Sequence, residues 1–582
     1  MNRRGVRRTH KAAGFILPVV LCSLLVVGII AGSAIQYVMN GTRVAGVYLG
    51  TTQSRLCAQT ALDVEKAEIF RDFKTYYRAN PSTWNVLAWF DTHSAQSIGS
   101  SGYVSALMQD RTMNGCTVSV ALTDVTRSAL SAAQQYVRVT LRATASCVSA
   151  AGVPVSRTIE ETVEYALRRS SVFDYAYFVN NYGWFMGGGV TANGDIRANG
   201  NLYLDGQSWV NGFVFAAANE ELGAAGAVIG TARCRTLSQY WGDNNLRARP
   251  TNPTSSGGAS WEMGYGGVSE LQAYQEPLDM PFLGGLDYYR EIANTTGATI
   301  KQNGKVLVDG CFSGTGPSGV ANGVDKGCLV LDGTSKPIEI DGPVVVDSDV
   351  IIKGTVKGQG AIYSGRNIFI VGNLTYDKAP SWAKPDTKPG QTVTQNESKD
   401  MLGLAAKGNI VLGNYASSDW LSNVENYITP PFVKAYACDP TDASIGYGSV
   451  FNGDYTAKDQ GKKVEYVYDN KTKTWNPSSQ SDRRYYESAA GDRVISQTAQ
   501  GAAITRIDAV LYNNHAVMGR IGQCQFNGAL ICRDEGIIYN SSVGFNWDIR
   551  LGATSPDGIN FFIYLPMSPA TPRVVSWQEV QL

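Results

Sequence analysis

The sequence predicts a mainly β protein that begins with one long α-helix. Three observations predict this fold class: an apolar segment near the N-terminus, three stretches of alternating apolar and polar residues after residue 115, and glycines repeated at six-residue spacing. Glycine accounts for 62 of the 582 residues, which favours turn-rich β structure over helix bundles. A chain of this length exceeds one compact core, so we expect two or more domains.

Charge and composition exclude several functions. Lys plus Arg and Asp plus Glu are balanced at 50 each, so no net charge attracts nucleic acid, and we expect no nucleic-acid partner. The three histidines, His10, His93 and His515, are far apart in the sequence. Because the cysteine spacings of zinc sites are also absent, we expect no metal and no cofactor.

The ten cysteines are typical of an exported protein with few disulfides. Sequence does not fix their connectivity. The candidate pairs are Cys116 with Cys147, Cys311 with Cys328, and Cys524 with Cys532.

The N-terminus joins a basic leader to a segment long enough to cross a membrane. Residues 1–14 carry several Arg and Lys residues and no acid, and Phe15–Ile35 is free of charge. As a helix, this segment would span about 32 Å, enough for a bilayer core. The basic flank predicts that the leader stays cytoplasmic and that the chain after Gln36 crosses to the other side. A cleaved secretory signal peptide is the alternative, but its apolar region is usually only about 7–15 residues long.

This N-terminus resembles the class III signal of type IV pilins and of the pseudopilins of type II secretion. The resemblance rests on a basic leader that ends in Gly14 and on Phe15 at the head of the apolar helix. It implies that a prepilin peptidase cuts between these two residues and methylates the new N-terminus. The fifth mature residue, usually Glu in this family, is Val19 here, so a buried amine would lack its partner. This departure favours a minor or tip-located subunit over a major pilin, and Pro18 fits the first helical turn.

The helix is predicted to continue beyond the membrane. No Pro occurs from Tyr37 to Arg78, and apolar residues recur there at helical spacing, as at Leu62, Ile69 and Phe73. An amphipathic second half of this kind is part of the pilin plan, in which it packs on a sheet. An ordinary juxtamembrane helix is the alternative.

Three alternating stretches predict an antiparallel sheet: Cys116–Val125, Tyr136–Cys147 and Val155–Leu167. Packed on the helix, this sheet would complete a pilin-like α+β module. Glu160 and Glu161 are adjacent in the third stretch, and neighbouring strand residues face opposite sides. We therefore expect no shared acid–base site at these two residues.

Glycines then repeat in a way that predicts a parallel β-helix. Each glycine of the first series follows Asn or Asp, a pair that accepts positive φ and marks a tight turn. The four residues between turns allow only a short strand, as a β-solenoid with about three faces per coil requires. A run of hairpins is the alternative. If the segment is a β-helix, the irregular spacing of the later glycine-rich blocks favours right-handed winding. The two series are Gly194, Gly200, Gly206, Gly212 and Gly342, Gly354, Gly360, Gly372.

The predicted organisation follows from these segments. Two polar insertions, near 231–305 and 416–500, interrupt the β-helix, and the first contains a short helix after Met280. The aromatic segment Phe173–Phe185 is expected to cap the open end of the solenoid. The parts are the leader 1–14, the helix 15–80 with its transmembrane segment 15–35, the pilin-like antiparallel region 81–170, the β-helix 171–565 and a C-terminal tail 566–582.

Candidate site residues are few. Asp347 and Asp349 would share one face of a strand, as a calcium site or a retaining pair of carboxylates requires, and as β-helix enzymes such as pectate lyases use. A turn accounts for this pair equally well, and a lone histidine is more often structural. No catalytic motif is present, so we assign no catalytic residue. The second candidate set is Arg533, Asp534, Glu535 and His515.

Together these features predict an atypical minor pilin-like or pseudopilin-like envelope protein that is not an enzyme. It would be assembled in or near the tip of a type IV pilus or secretion pseudopilus and display its β-helix for adhesion. The expected partners are a prepilin peptidase, other pilins or pseudopilins and their assembly platform. The chain would be anchored in the inner membrane with its C-terminal domain in the periplasm, or exported to the cell surface in a pilus. The alternatives are a membrane-anchored β-helix that degrades or binds extracellular polysaccharide, and a structural envelope protein that never enters a filament.

Overall fold

The computed structural model describes most of the chain. The basic leader with Gly14 and Phe15, and most of the predicted insertion 231–305, lie outside the described residues. These are 16–79, 107–127, 135–181, 183–185, 188–200, 202–204, 207–216, 271–272, 278–281, 283, 286–314, 324–325, 327–384, 389–428, 433, 466–469, 474–477, 486–552 and 564–580.

A single helix of 64 residues, α1 (Ile16–Ala79), confirms the predicted N-terminal helix. Its apolar side chains from Leu17 to Leu49 are exposed, whereas Leu62 and Phe73 are buried. Within the described part of the chain, α1 alone is long and apolar enough to span a membrane, with a mean hydropathy of 2.4 and 0% burial in its most apolar window. Among the described residues, none covers the apolar first half of the helix, whereas its second half is packed.

An antiparallel sheet packs on the second half of α1, as predicted. Its strand order is β1-β2-β3-β4, and both β29 and β30 pair with β4. Alternation of buried and half-exposed residues along β3 presents one apolar face to the helix. The strands are β1 (Arg111–Met113), β2 (Cys116–Arg127), β3 (Gln135–Val148), β4 (Pro154–Arg169), β29 (Met567–Pro569) and β30 (Arg573–Val580).

The predicted C-terminal tail differs from the structure, because it supplies two strands of this sheet. Arg573 lies opposite Glu164, and Val580 lies opposite Thr158. An uncovered edge of β4 would leave backbone N–H and C=O groups without partners, and the C-terminal strands pair with them. The N-terminal module therefore includes the end of the chain.

The two adjacent glutamates of β4 face opposite sides of the sheet, as expected. Glu161 is buried and accepts a hydrogen bond from Lys66 of α1 at 2.7 Å. Glu160 forms an ion pair with Arg142 on the other face at 2.7 Å. The two carboxylates do not share a site.

A large sheet of 20 strands lies in the remaining described part of the chain, and most of its strand pairs are parallel. The strands are β5 (Tyr177–Val179), β7 (Gly188–Asn193), β8 (Ile196–Ala198), β10 (Gln207–Asn211), β11 (Val214–Ala216), β12 (Leu271–Gln272), β13 (Thr299–Gln302), β14 (Lys305–Asp309), β15 (Cys311–Phe312), β16 (Val324–Asp325), β17 (Cys328–Val346), β18 (Val350–Ser364), β19 (Ile368–Tyr376), β20 (Met401–Ala406), β21 (Ile410–Leu412), β24 (Arg506–Asn513), β25 (Ala516–Ile521), β26 (Cys524–Cys532), β27 (Asp534–Tyr539) and β28 (Val543–Trp547).

Smaller elements surround the large sheet. The α-helix predicted after Met280 is present as α2 (Asp287–Thr296). Two small sheets pair β6 (Gly183–Phe185) with β9 (Leu202–Leu204), and β22 (Tyr466–Asp469) with β23 (Thr474–Pro477). The remaining described α-helices are α3 (Pro389–Asn396), α4 (Ser418–Val424) and α5 (Asp492–Thr498). Turns of 3-10 helix lie at Ser171–Asp174, Glu425–Tyr427 and Ile549–Gly552.

The parallel pairs repeat at a regular interval. Val214 lies opposite Ile196 and Ile368 lies opposite Val350, in each case 18 positions apart, which equals three of the six-residue steps of the glycine series. Where a polar segment intervenes, the interval lengthens. Gly194 and Gly342 adopt positive φ angles of 135° and 71°, as the two series predict, whereas Gly212 and Gly360 do not.

The strand order of the large sheet differs from the order along the chain. The late strands β26 and β28 pair with the early strands β5 and β7, so that Leu530 lies opposite Tyr177 and Val543 opposite Val190. The first strand of this sheet, β5, and its last strand, β28, therefore both lie in the interior of the strand order. The chain reaches β5 from β4 and continues from β28 towards β29. The expected cap at Phe173–Phe185 is wrong for the same reason, because β5 lies between β26 and β8.

A ladder of amide side chains crosses this junction between late and early strands. Asn527 donates to Asp508 at 2.7 Å, and Asn546 donates to Asn527 at 2.9 Å. The ladder then passes to the early strands, where Asn193 donates to Asn546 at 2.7 Å and Asn211 donates to Asn193 at 2.6 Å. Equivalent positions on successive parallel strands thus carry one continuous chain of hydrogen bonds.

The eight cysteines within the described residues are free thiols, so the candidate disulfides are not formed in this structure. Cys116 and Cys147 are buried on the neighbouring strands β2 and β3. Burial raises the pKa of Cys116 to about 12, and the nearby thiols of Cys147 and Cys57 add to the shift.

Candidate functional site

The sequence-predicted candidates lie in one column of turns along the large sheet. Asp347 and Asp349 occupy the turn between β17 and β18, and His515 the turn between β24 and β25. Arg533 and Asp534 lie where β26 passes into β27. The flanking parallel strands are in register, which brings these turns into line.

Asp349 fixes a distant segment to this column. Its carboxylate is fully buried and lies 3.3 Å from Nε of Arg366. The same carboxylate accepts hydrogen bonds from the backbone N–H of Ala489 at 2.7 Å and from Oγ of Ser488 at 3.2 Å. These contacts hold the segment that leads into α5 against the turn column.

Asp347 has a different partner, Arg290 of α2. The two carboxylates therefore bind separate elements, because they lie in a turn and not on a shared strand face. Among the residues that the structure describes, no group of three His, Cys, Asp or Glu side chains is arranged to hold a metal ion.

The second candidate set is also enclosed. Arg533 and His515 are buried, and the backbone N–H of Asp534 donates to the carbonyl of His515 at 2.8 Å. The carboxylate of Asp534 accepts a hydrogen bond from Asn181 at 2.9 Å. The structure thus brings this set together, but inside the protein, where a polymer would not reach it.

Glu535 lines a small, mainly apolar pocket that has room for about one water molecule. Tyr177 donates a hydrogen bond to its carboxyl group at 3.1 Å, and the backbone N–H of Ile537 donates another at 2.8 Å. Burial raises the pKa of Glu535 to about 8, although both hydrogen bonds oppose the shift. Glu535 is therefore mostly protonated at neutral pH.

An open groove lies elsewhere on the large sheet and was missed by the sequence analysis. Its volume is about 390 Å³, within the usual range for small-ligand pockets. We call it the Trp382 groove. It is lined by Tyr376, Ala379, Pro380, Ser381, Trp382, Lys384, Arg506, Asp508, Gln525 and Asn527.

The floor of the Trp382 groove is a fixed network. The Nε–H group of Arg506 donates to both carboxylate oxygens of buried Asp508, at 2.8 and 3.0 Å. Nη2 of Arg506 lies 2.8 Å from the same carboxylate. Asn527 donates to Asp508 through Nδ2, and its Oδ1 accepts from Lys384 Nζ at 2.9 Å. The orientation of the Asn527 amide is thereby set on both sides.

The rim combines an aromatic ring with polar groups. Trp382 is half-buried, while Ser381, Lys384 and Gln525 are exposed. Although the Lys384 side chain as a whole is exposed, desolvation of its ammonium group lowers its pKa; the Asp508 carboxylate opposes this shift and the Arg506 guanidinium adds to it. Such a surface offers an apolar ring face, amide donors and acceptors, and a positive charge.

The register of the large sheet assembles the groove from separate parts of the chain. Trp382 and Lys384 follow β19, whereas Arg506 and Asn527 lie on β24 and β26. The one signal in the sequence was a Trp and a Lys between prolines, in "KAPSWAKP". It does not indicate which strands lie beside it.

Comparison with known proteins gave no relatives: no family model matches the chain, and no curated protein or solved structure is significantly similar to it.

Proposed function

We propose that this protein is an atypical pilin-like subunit of the cell envelope, anchored by α1, that displays its large sheet for contact with an outside surface. One observation carries the proposal: a continuous helix whose first half is apolar and exposed, and whose second half packs on an antiparallel sheet. Both features belong to the plan of pilins and pseudopilins. Membrane storage would use the first half, and Val19 in place of Glu favours a position at or near the tip.

In this proposal the large sheet is a parallel β-helix, with right-handed winding as its predicted sense. The support is the 18-residue interval between paired strands, the short strands separated by turns, and the amide ladder on successive strands. Such a stack offers a long, rigid surface. Its placement on the far side of the inner membrane, and its export within a filament, belong to the same proposal.

Processing of the leader tests this role. Co-expression with a prepilin peptidase should remove residues 1–14 and leave Phe15 as the methylated N-terminus, measured by mass spectrometry of the intact protein. Gly14→Ala should block the cut, while Gly5→Ala, in the same leader, should leave it unchanged. A mature chain that starts at Met1, or well beyond Ile35, would contradict the proposal.

Polysaccharide binding is a second candidate function, and the Trp382 groove favours it. An aromatic ring beside fixed amide and charged groups suits a ligand with both apolar and hydroxyl-bearing faces. We propose binding without cleavage, because Asp347 and Asp349 are already used to hold α2 and the segment before α5.

A further inference from the structure

We propose that the Trp382 groove binds a saccharide that carries a carboxylate group, such as a uronic acid unit of an extracellular polysaccharide. This inference rests on the surface-contact role proposed above and names the class of ligand that the contact recognises.

The shape of the groove suits a sugar ring. Trp382 is half-buried and lines the groove together with Ala379 and Pro380, so part of its side chain remains accessible. A flat aromatic face beside hydrogen-bonding groups matches a ring that has C–H groups on one face and hydroxyl groups at its edge. Gln525 and Ser381 supply further donors and acceptors at the rim.

The charge of the groove favours an acidic sugar. Arg506 is neutralised by Asp508, which it contacts through Nε and Nη2. Lys384 donates to the neutral amide of Asn527, and among the described residues no carboxylate lies within 4.0 Å of its ammonium group. One positive charge therefore remains uncompensated within the described lining of the groove, and a ligand carboxylate would supply its partner.

The network on the floor supports this role because it is already ordered. Asn527 is held between Asp508 and Lys384, and it also accepts a hydrogen bond from Asn546. A ligand would therefore not have to order these side chains when it binds, which reduces the entropic cost of association.

A peptide ligand fits the groove less well. Extended peptides commonly bind by adding a strand to an open sheet edge. Here β24 is paired on both sides, with β19 and β20 on one side and β26 on the other, so this part of the sheet has no open edge. The groove offers side-chain groups, which favours a saccharide.

The test is calorimetric titration of the full-length protein in detergent with oligomers of polygalacturonate and with the same oligomers as methyl esters. Wild-type protein should bind the acid form at least about 5-fold more tightly than the ester at low salt, and this preference should fall as salt screens the charge. Lys384→Met should weaken binding of the acid form about 3- to 10-fold and leave binding of the ester unchanged. Trp382→Ala should weaken binding of both forms about 10-fold or more.

Two variants serve as matched controls. Lys378→Met removes an exposed lysine that does not line the groove, and Phe213→Ala removes an exposed aromatic ring on another part of the large sheet. Both should bind like the wild type.

Several results would overturn the inference: no binding of either form, equal affinity for acid and ester, no effect of Lys384→Met, or tighter binding of poly-glutamate than of polygalacturonate. The last result would assign the groove to acidic peptides. Leader processing is measured separately, so a chain that binds the acid form but is not cut after Gly14 would contradict the pilin-like role and leave the groove intact.

Discussion

At the scale of single residues, Glu535 shows how burial changes chemistry. Its carboxyl group lies in an aromatic cavity with Phe185 and Phe545, and its hydrogen-bond donors are Tyr177 and the backbone of Ile537. Water stabilises a carboxylate far better than this cavity does, so the proton is retained to about pH 8. As a result, the stability of the folded protein depends on pH.

We expect the stability of the folded protein to fall as pH rises from about 4.5 to about 8. In that window the folded state keeps a proton on Glu535 that the unfolded state has lost, so the unfolding free energy decreases with pH. Glu535→Gln should remove this dependence and gain a few kcal/mol over the wild type at pH 8. Guanidinium unfolding of the wild type and the variant at pH 5 and pH 8 measures the pH dependence and the gain in stability. A variant with the same pH dependence as the wild type would disprove the role assigned to Glu535.

The predicted site residues show what a sequence conveys about single side chains. Asp347, Asp349 and Arg533 stand out in the sequence as charges between apolar stretches, and the structure places them in one column of turns, several turns apart. Their partners could not be predicted, because Arg290 and Ser488 come from distant segments. The Trp382 groove was missed for the same reason: its two halves are more than 100 residues apart along the chain.

At the scale of elements, the turn column acts as an anchor for the polar segments. We expect Asp349→Ala to destabilise the protein by about 3–5 kcal/mol, because it leaves Arg366 buried without its carboxylate and removes the acceptor for Ser488 and Ala489. The loss of stability in Asp349→Ala should appear first as faster amide hydrogen exchange in residues 486–500.

Asp347→Ala is the matched control, since its partner Arg290 is 28% exposed and keeps a second carboxylate partner in Asp287. We expect Asp347→Ala to lower the free energy of unfolding by about 1 kcal/mol. If Asp349→Ala left exchange in 486–500 unchanged, this anchoring role would be wrong.

Elements with a local signal were predicted well, and elements that depend on remote pairing were not. Alternation predicted β2, β3 and β4, and hydropathy, the absence of Pro and the helical spacing of apolar residues together predicted α1. The C-terminal strand β30 was predicted to be a tail, because its place depends on the free edge of β4, which lies more than 400 residues earlier. The aromatic segment near β5 was placed at an end for a similar reason.

At the scale of the whole molecule, the last strands of the large sheet support the first. Removing residues 524–582 should therefore expose β5 and β7 and increase amide exchange across 177–216 at least about 10-fold. Hydrogen exchange read by mass spectrometry measures this. Removing only 573–582 should affect β4 and spare 177–216, and similar exchange in both truncations would contradict this arrangement.

The meeting of β26 with β5 also sets the order in which the molecule can be completed. A chain is synthesised from its N-terminus, so β5 is made about 350 residues before the strand that will lie against it. Until then, one edge of the early strands stays open to any other extended chain nearby. Closing so large a loop is slow, so a protein built this way keeps the edge of its early strands exposed until synthesis has finished.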